Sequence, residues 1–85
     1  MKVTVRYFAS LREAIGSSET VDVAAGTTLG ALRDALLARG GRHADVLART
    51  RAVRCALNQV MSDETAMLSE GEGAEVAFFP PVTGG

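Results

Sequence analysis

Only one stretch of this sequence carries apolar side chains at helical spacing over enough length to bury a full stripe. Leu29, Leu32 and Leu36 stand at i, i+3 and i+7 behind the turn Ala25-Gly26-Thr27-Thr28, where the Thr28 hydroxyl is placed to cap the first free amides. The predicted helix runs from Thr28 to about Arg39 and stops at Gly40-Gly41. Most other apolar residues alternate in twos. Val3, Val5 and Tyr7 share one side of residues 2–8; Val21 and Val23 do so in 19–23, and Val53, Cys55 and Leu57 in 53–57. Asn58-Gln59 reads as a turn into a short strand around Val60-Met61, and residues 74–79 form a last strand after the Gly71-Gly73 turn. One striped helix among strands points to an α+β fold with that helix packed on one sheet face. Periodicity leaves the strand order open.

Two shorter helical segments are expected. Ser10-Leu11-Arg12-Glu13 has the form of a capping box, with Leu11, Ala14 and Ile15 on one side and Gly16 as terminator. Residues 44–49 have the composition of a further helical turn.

The chain has 85 residues, room for one core only. At 47% hydrophobic and 22% charged it has globular composition. Nine basic against ten acidic residues give a formal charge of −1, which does not favour adhesion to nucleic acid or to an anionic membrane. Its longest apolar run, residues 76–82, is far short of the ~20 residues of a membrane helix. Charges near the start stand where a secretory signal would need apolar residues, so a cytoplasmic protein is expected. The charge is uneven along the chain. Residues 1–54 hold all nine bases and five acids, and residues 55–85 hold five acids and no base. Eight of the nine bases are arginine, Lys2 being the sole lysine.

Side-chain chemistry is sparse. Cys55 lies mid-strand among apolar positions and is expected in the core. His43 follows a Gly-Gly turn with no second ligand nearby, as a solvated loop residue would. Asp63 and Glu64 are adjacent, a spacing that makes loop side chains diverge from a shared cleft. Gly71-Glu72-Gly73 begins like a dinucleotide fingerprint, but position 76 is Val and no helix follows. No metal-ligand spacing occurs.

What stands out is the end: Pro80-Pro81-Val82-Thr83-Gly84-Gly85 after the last strand. The prolines lack amide donors and hold the chain extended, and six residues span about 20 Å, enough to enter another protein's active site. Glycine accepts whatever backbone angles a narrow channel imposes and leaves the last carbonyl unshielded. A domain of residues 1–79 with a projecting tail at 80–85 is expected.

This ending, Glu75-Val76-Ala77-Phe78-Phe79-Pro80-Pro81-Val82-Thr83-Gly84-Gly85, resembles that of the sulfur-carrying small subunits of molybdopterin synthase. Phe8-Ala9, Leu11-Arg12-Glu13 and Ala56-Leu57-Asn58-Gln59 add to the likeness. The resemblance implies a ubiquitin-like β-grasp fold: a mixed sheet of about five strands whose first and last run parallel at its centre. It also implies a sulfur cycle. An ATP-dependent adenylyltransferase activates the Gly85 carboxylate, and a persulfide sulfur donor converts it to a thiocarboxylate. The tail then enters the synthase large subunit, where cyclic pyranopterin monophosphate takes the sulfur. On this reading the chain binds no cofactor and has no active site of its own. Phe79, Pro80, Pro81, Val82, Thr83, Gly84 and, from the first helix, Arg12 are the expected partner contacts. Related carriers for thiamine or cysteine synthesis, a ubiquitin-like protein modifier, and a noncovalent interaction module are the alternatives.

Overall fold

A computed structural model describes residues 1–68 and 73–81. The elements run β1 (Lys2–Tyr7), α1 (Ala9–Ile15), β2 (Ser18–Asp22), α2 (Leu29–Leu37), α3 (Gly41–Leu47), β3 (Arg54–Leu57), β4 (Val60–Ser62) and β5 (Ala74–Phe79). They build one five-stranded sheet in the order β2-β1-β5-β3-β4. β1 and β5, the first and last strands, lie parallel in the interior with Val5 beside Val76 and Tyr7 beside Phe78. The remaining pairings are antiparallel. Mixed sheet and α+β class are as expected.

Alternation decides which side chains are covered. Val3, Val5, Tyr7, Val76, Phe78 and Cys55 face a core completed by Leu11 of α1, Leu29, Leu32 and Leu36 of α2, and Leu47 of α3. All three helices therefore bury their apolar residues against the same sheet face. The Thr28 hydroxyl accepts the Ala31 amide at 3.0 Å, the cap read from the sequence. Two further amides at this helix start, of Leu29 and Gly30, donate to the carbonyls of Ala66 and Glu64 at 2.9 Å each. Glu64 lies so close that a Cβ on Gly30 would sit 3.0 Å from its carboxylate.

A buried guanidinium binds the irregular segments to α2. Arg33, 4% exposed, donates to the carbonyls of Leu47 (2.8 Å), Ala48 (2.7 Å) and Arg51 (3.1 Å) and to Glu64 Oε2 (2.9 Å). Arg49 reaches the other Glu64 oxygen, and it also donates to Asp34 and the Gly30 carbonyl. Burial pushes the Glu64 carboxyl up, but these two arginines outweigh it and hold it below its ordinary value. Bases of the first half thus meet acids of the second, and the charge asymmetry of the sequence mixes on folding.

Three local expectations are corrected. α1 opens at Ala9 rather than behind Ser10: Phe8 takes the N-cap position with no side-chain cap, and its amide is tied to the Phe78 carbonyl at 3.2 Å. α3 starts at Gly41, earlier than the helical turn expected at 44–49. Gly40 and Gly41 both have positive φ, so they reverse the chain between two helices instead of merely ending one. His43 is no loop residue. Its Nε2 lies 2.8 Å from Glu19 Oε2, and its ring stands edge-on to Tyr7 at 6.2 Å.

Glu19 on β2 accepts from His43, from the Tyr7 hydroxyl at 2.8 Å and from Arg39. Burial raises its pKa, but those three hydrogen bonds prevail and bring it down to about 2. A carboxyl depressed by folding contributes stability above its unfolded pKa and loses it as pH falls toward the folded one. The Glu19 contribution is therefore complete above about pH 4.5 and is lost on the way down to about pH 2. Glu19→Gln should cost about 1–2 kcal/mol at pH 7 and much less at pH 2.5. Urea melts at the two pH values check this; equal losses at both would contradict it.

Candidate functional site

β5 lies between β1 and β3, so the chain that leaves it starts from the middle of the sheet. Val76 and Phe78 are fully buried, and Ala77 and Phe79 point to the opposite face. The helices leave that face open. Phe79 is half-buried there. It is paired in register with Arg54 of β3, and cross-strand neighbours shield one another.

Phe8 comes to the same end because its amide bonds the Phe78 carbonyl. It is 39% exposed, with the Arg6 guanidinium 5.5 Å from its ring centroid. One row further along the open face, Arg6, Ala77, Ala56 and Met61 follow in register across β1, β5, β3 and β4. Met61 is 59% exposed. The result is an apolar patch at the root of the tail, with arginines beside it.

Arg12 sits on the exposed side of α1, and its amide bonds the Phe8 carbonyl at 3.4 Å. The structure thus gathers Arg12, Phe79, Pro80 and Pro81 at one end. Val82, Thr83, Gly84 and Gly85 lie outside the described residues. Phe8 and Met61 were not singled out as contacts from the sequence. Phe8 sits at the boundary between strand and helix, where periodicity says nothing of exposure; Met61 needed the β3–β4 register.

Internal chemistry is poor. A pocket of ≈ 330 Å³ is lined by Val53, Arg54, Cys55, Ser62, Asp63 and Glu64. The Cys55 side chain is buried, and its Sγ donates to the Ser62 carbonyl at 3.3 Å. Burial, then the charges of Glu64 and Asp63, push its thiol pKa up, away from the thiolate a nucleophile needs. The Asp63 carboxylate accepts from the amide and hydroxyl of Thr65 and so fixes a turn. Among the described residues no group of three or more His, Cys, Asp or Glu could hold a metal ion. Nor is any helix among them long and apolar enough to cross a membrane.

A domain whose last strand ends at the sheet centre beside an apolar patch matches a known family over nearly its whole length. The ThiS family model covers residues 5–85. The chain belongs to the ThiS family. It is 39% identical to the molybdopterin synthase sulfur carrier subunit of Escherichia coli (strain K12), covering 98% of this chain and 99% of that one. The corresponding subunit of Mycobacterium tuberculosis is 40% identical, with 100% and 99% covered. Among solved structures, SAMP1 of Haloferax volcanii, a small archaeal modifier protein, superposes with a TM-score of 0.76 at 26% identity over 100% of both chains. A complex of subunits 1 and 2 of the molybdopterin-converting factor of Helicobacter pylori gives a TM-score of 0.69 at 24% identity, again over 100% of both. The ThiS-family fold here is the ubiquitin-like β-grasp.

A core thiol in this ThiS-family domain should be inert. Cys55 should resist iodoacetamide at pH 8 in the native protein and react promptly in 6 M urea, as read by intact mass. Labelling of the native protein at the unfolded rate would contradict the burial of Cys55.

Proposed function

We infer that this chain is the sulfur-carrying subunit of a molybdopterin synthase, with Gly85 as the group that carries the sulfur. The observation that bears most weight is the full-length likeness to two sulfur carrier subunits near 40% identity. The central position of β5 supports the same reading, because it anchors the root of the tail on both sides, with Pro80 and Pro81 outside the strand.

The chemistry follows from the carboxylate. A carboxylate oxygen is a poor leaving group. In the proposed cycle an adenylyltransferase joins Gly85 to AMP from ATP, with release of pyrophosphate. Sulfur from a persulfide donor then attacks the mixed anhydride, AMP departs, and a thiocarboxylate remains. That anion is a good nucleophile toward an electrophilic pterin carbon of cyclic pyranopterin monophosphate. The catalytic side chains belong to the large subunit, and this chain delivers a bound substrate. The Helicobacter pylori complex of the two converting-factor subunits supports such a partner.

The apolar patch of Phe8, Phe79 and Met61 is the surface proposed to meet the large subunit, since aromatics at the rim of an inserted tail make good anchors. Arg12, exposed on α1 beside Phe8, is proposed to meet an acidic group on the adenylyltransferase. The cytoplasm, where ATP and reduced thiols are at hand, is the compartment that suits this cycle. A second reading, a protein modifier that ends on lysine amines, is favoured by the likeness to the Haloferax volcanii modifier protein. Intact mass separates the two: oxygen-to-sulfur exchange at the terminus for a carrier, isopeptide adducts for a modifier.

Deleting Gly85 should abolish adenylation and molybdopterin formation while the melting temperature stays within a degree or two, because a glycine has no apolar side chain to bury. Molybdopterin made from the shortened chain and purified large subunit would overturn the carrier reading. Phe79→Ala should raise the Kd for the large subunit about tenfold with a loss of about 1 kcal/mol in stability, since the ring is half-buried. Unchanged affinity by titration calorimetry would remove Phe79 from the interface.

A further inference from the structure

The basic residues at the tail end of the sheet are all arginine. Arg54 is the register partner of Phe79, Arg6 that of Ala77 two positions earlier, and Arg12 stands one turn beyond Phe8. All three are exposed. The one lysine of the sequence, Lys2, lies at the other end of β1 in an ion pair with Asp22 at 3.0 Å. From Lys2 to the level of Tyr7 and Phe78 is about 17 Å along the strand. Because β1 and β5 are parallel, the chain leaving Phe79 heads away from Lys2, and Pro80-Pro81 resist a reversal.

We propose that arginine, in place of lysine, at the tail end keeps the activated Gly85 carbonyl from acylating the carrier's own domain. This takes from the proposed function only that Gly85 becomes an activated acyl group. Six residues reach about 20 Å, so Arg6, Arg12 and Arg54 all lie within the sweep of the terminal carbonyl. A guanidinium stays protonated at any physiological pH and has no free electron pair to offer. A lysine there would be deprotonated in a small fraction at neutral pH, but intramolecular placement multiplies its effective concentration. Its Nζ would attack the carbonyl, forming a C–N bond as the bond to AMP breaks. AMP would leave with the electron pair, and the ammonium proton would go to solvent. The product, an isopeptide loop, could no longer accept sulfur. The arrangement therefore keeps the activated terminus available to the sulfur donor.

The experiment uses the full chain bearing a Gly85 thioester of a small alkyl thiol, made by intein cleavage and incubated at pH 8. Wild type should hydrolyse to the free acid. Arg54→Lys and Arg6→Lys, both conservative changes at exposed positions, should instead give a product lighter by one water than the free acid. The isopeptide should map to the new lysine, and the thioester should disappear about tenfold faster than in wild type. Isopeptide formation at Lys2 in wild type, or hydrolysis of both variants at the wild-type rate without amide, would overturn the proposal. No adenylyltransferase or sulfur donor takes part, so either result leaves the carrier reading to stand or fall on the Gly85 deletion.

Discussion

The parallel contact between β1 and β5 governs this molecule. Two strands that run side by side in the same direction cannot be joined by a hairpin, so the whole intervening chain serves as the crossover. Within it β2 pairs back on β1, β3 and β4 extend the other side, and three helices fill the same face. The apolar rows Val3, Val5, Tyr7 and Val76, Phe78 become the floor of the core because they stand in register at the centre. Once that pair is set, the open face and the exit of the tail from the sheet interior follow together.

The crossover includes long stretches without sheet hydrogen bonds, and Arg33 supplies what they lack. The carbonyls of Leu47, Ala48 and Arg51 all accept from the fork of one guanidinium, which also pairs with Glu64. A buried charge is costly unless each donor finds an acceptor. Among the described residues no buried side-chain nitrogen or oxygen lacks one. The same Glu64 receives the Gly30 amide through its carbonyl. Two separated segments, residues 47–51 and the turn at Glu64, are thus fixed to a single turn of α2 on either side of the β3–β4 hairpin.

Much of this was legible in the sequence because it rests on short periods. The stripe Leu29, Leu32, Leu36 gave the main helix and its buried face, the Thr28 cap gave its start, and Asn58-Gln59 gave the hairpin between β3 and β4. Contacts distant in sequence were not legible. His43 and Glu19 are 24 residues apart, and a lone histidine after two glycines carries no mark of a partner. Arg33 looks in the sequence like any solvated helix charge, since its acceptors are main-chain carbonyls, which every residue has. The Ser10 capping box failed for a related reason: the β5 carbonyl of Phe78 claims the Phe8 amide, and the helix starts two residues early. Of the candidate site, Arg12 and the Phe79 side of β5 were readable, whereas the patch around Phe8 and Met61 required the strand register.

The central place of β5 also has a mechanical side. A partner that grips the end of the chain and pulls does so along the strand axis, and the load falls lengthwise on the hydrogen bonds to β1 and β3 at once. Those bonds must then shear together, whereas an edge strand drawn sideways would unzip one bond at a time. A carrier held by its tip would accordingly spread the tension over both central strand pairings at once.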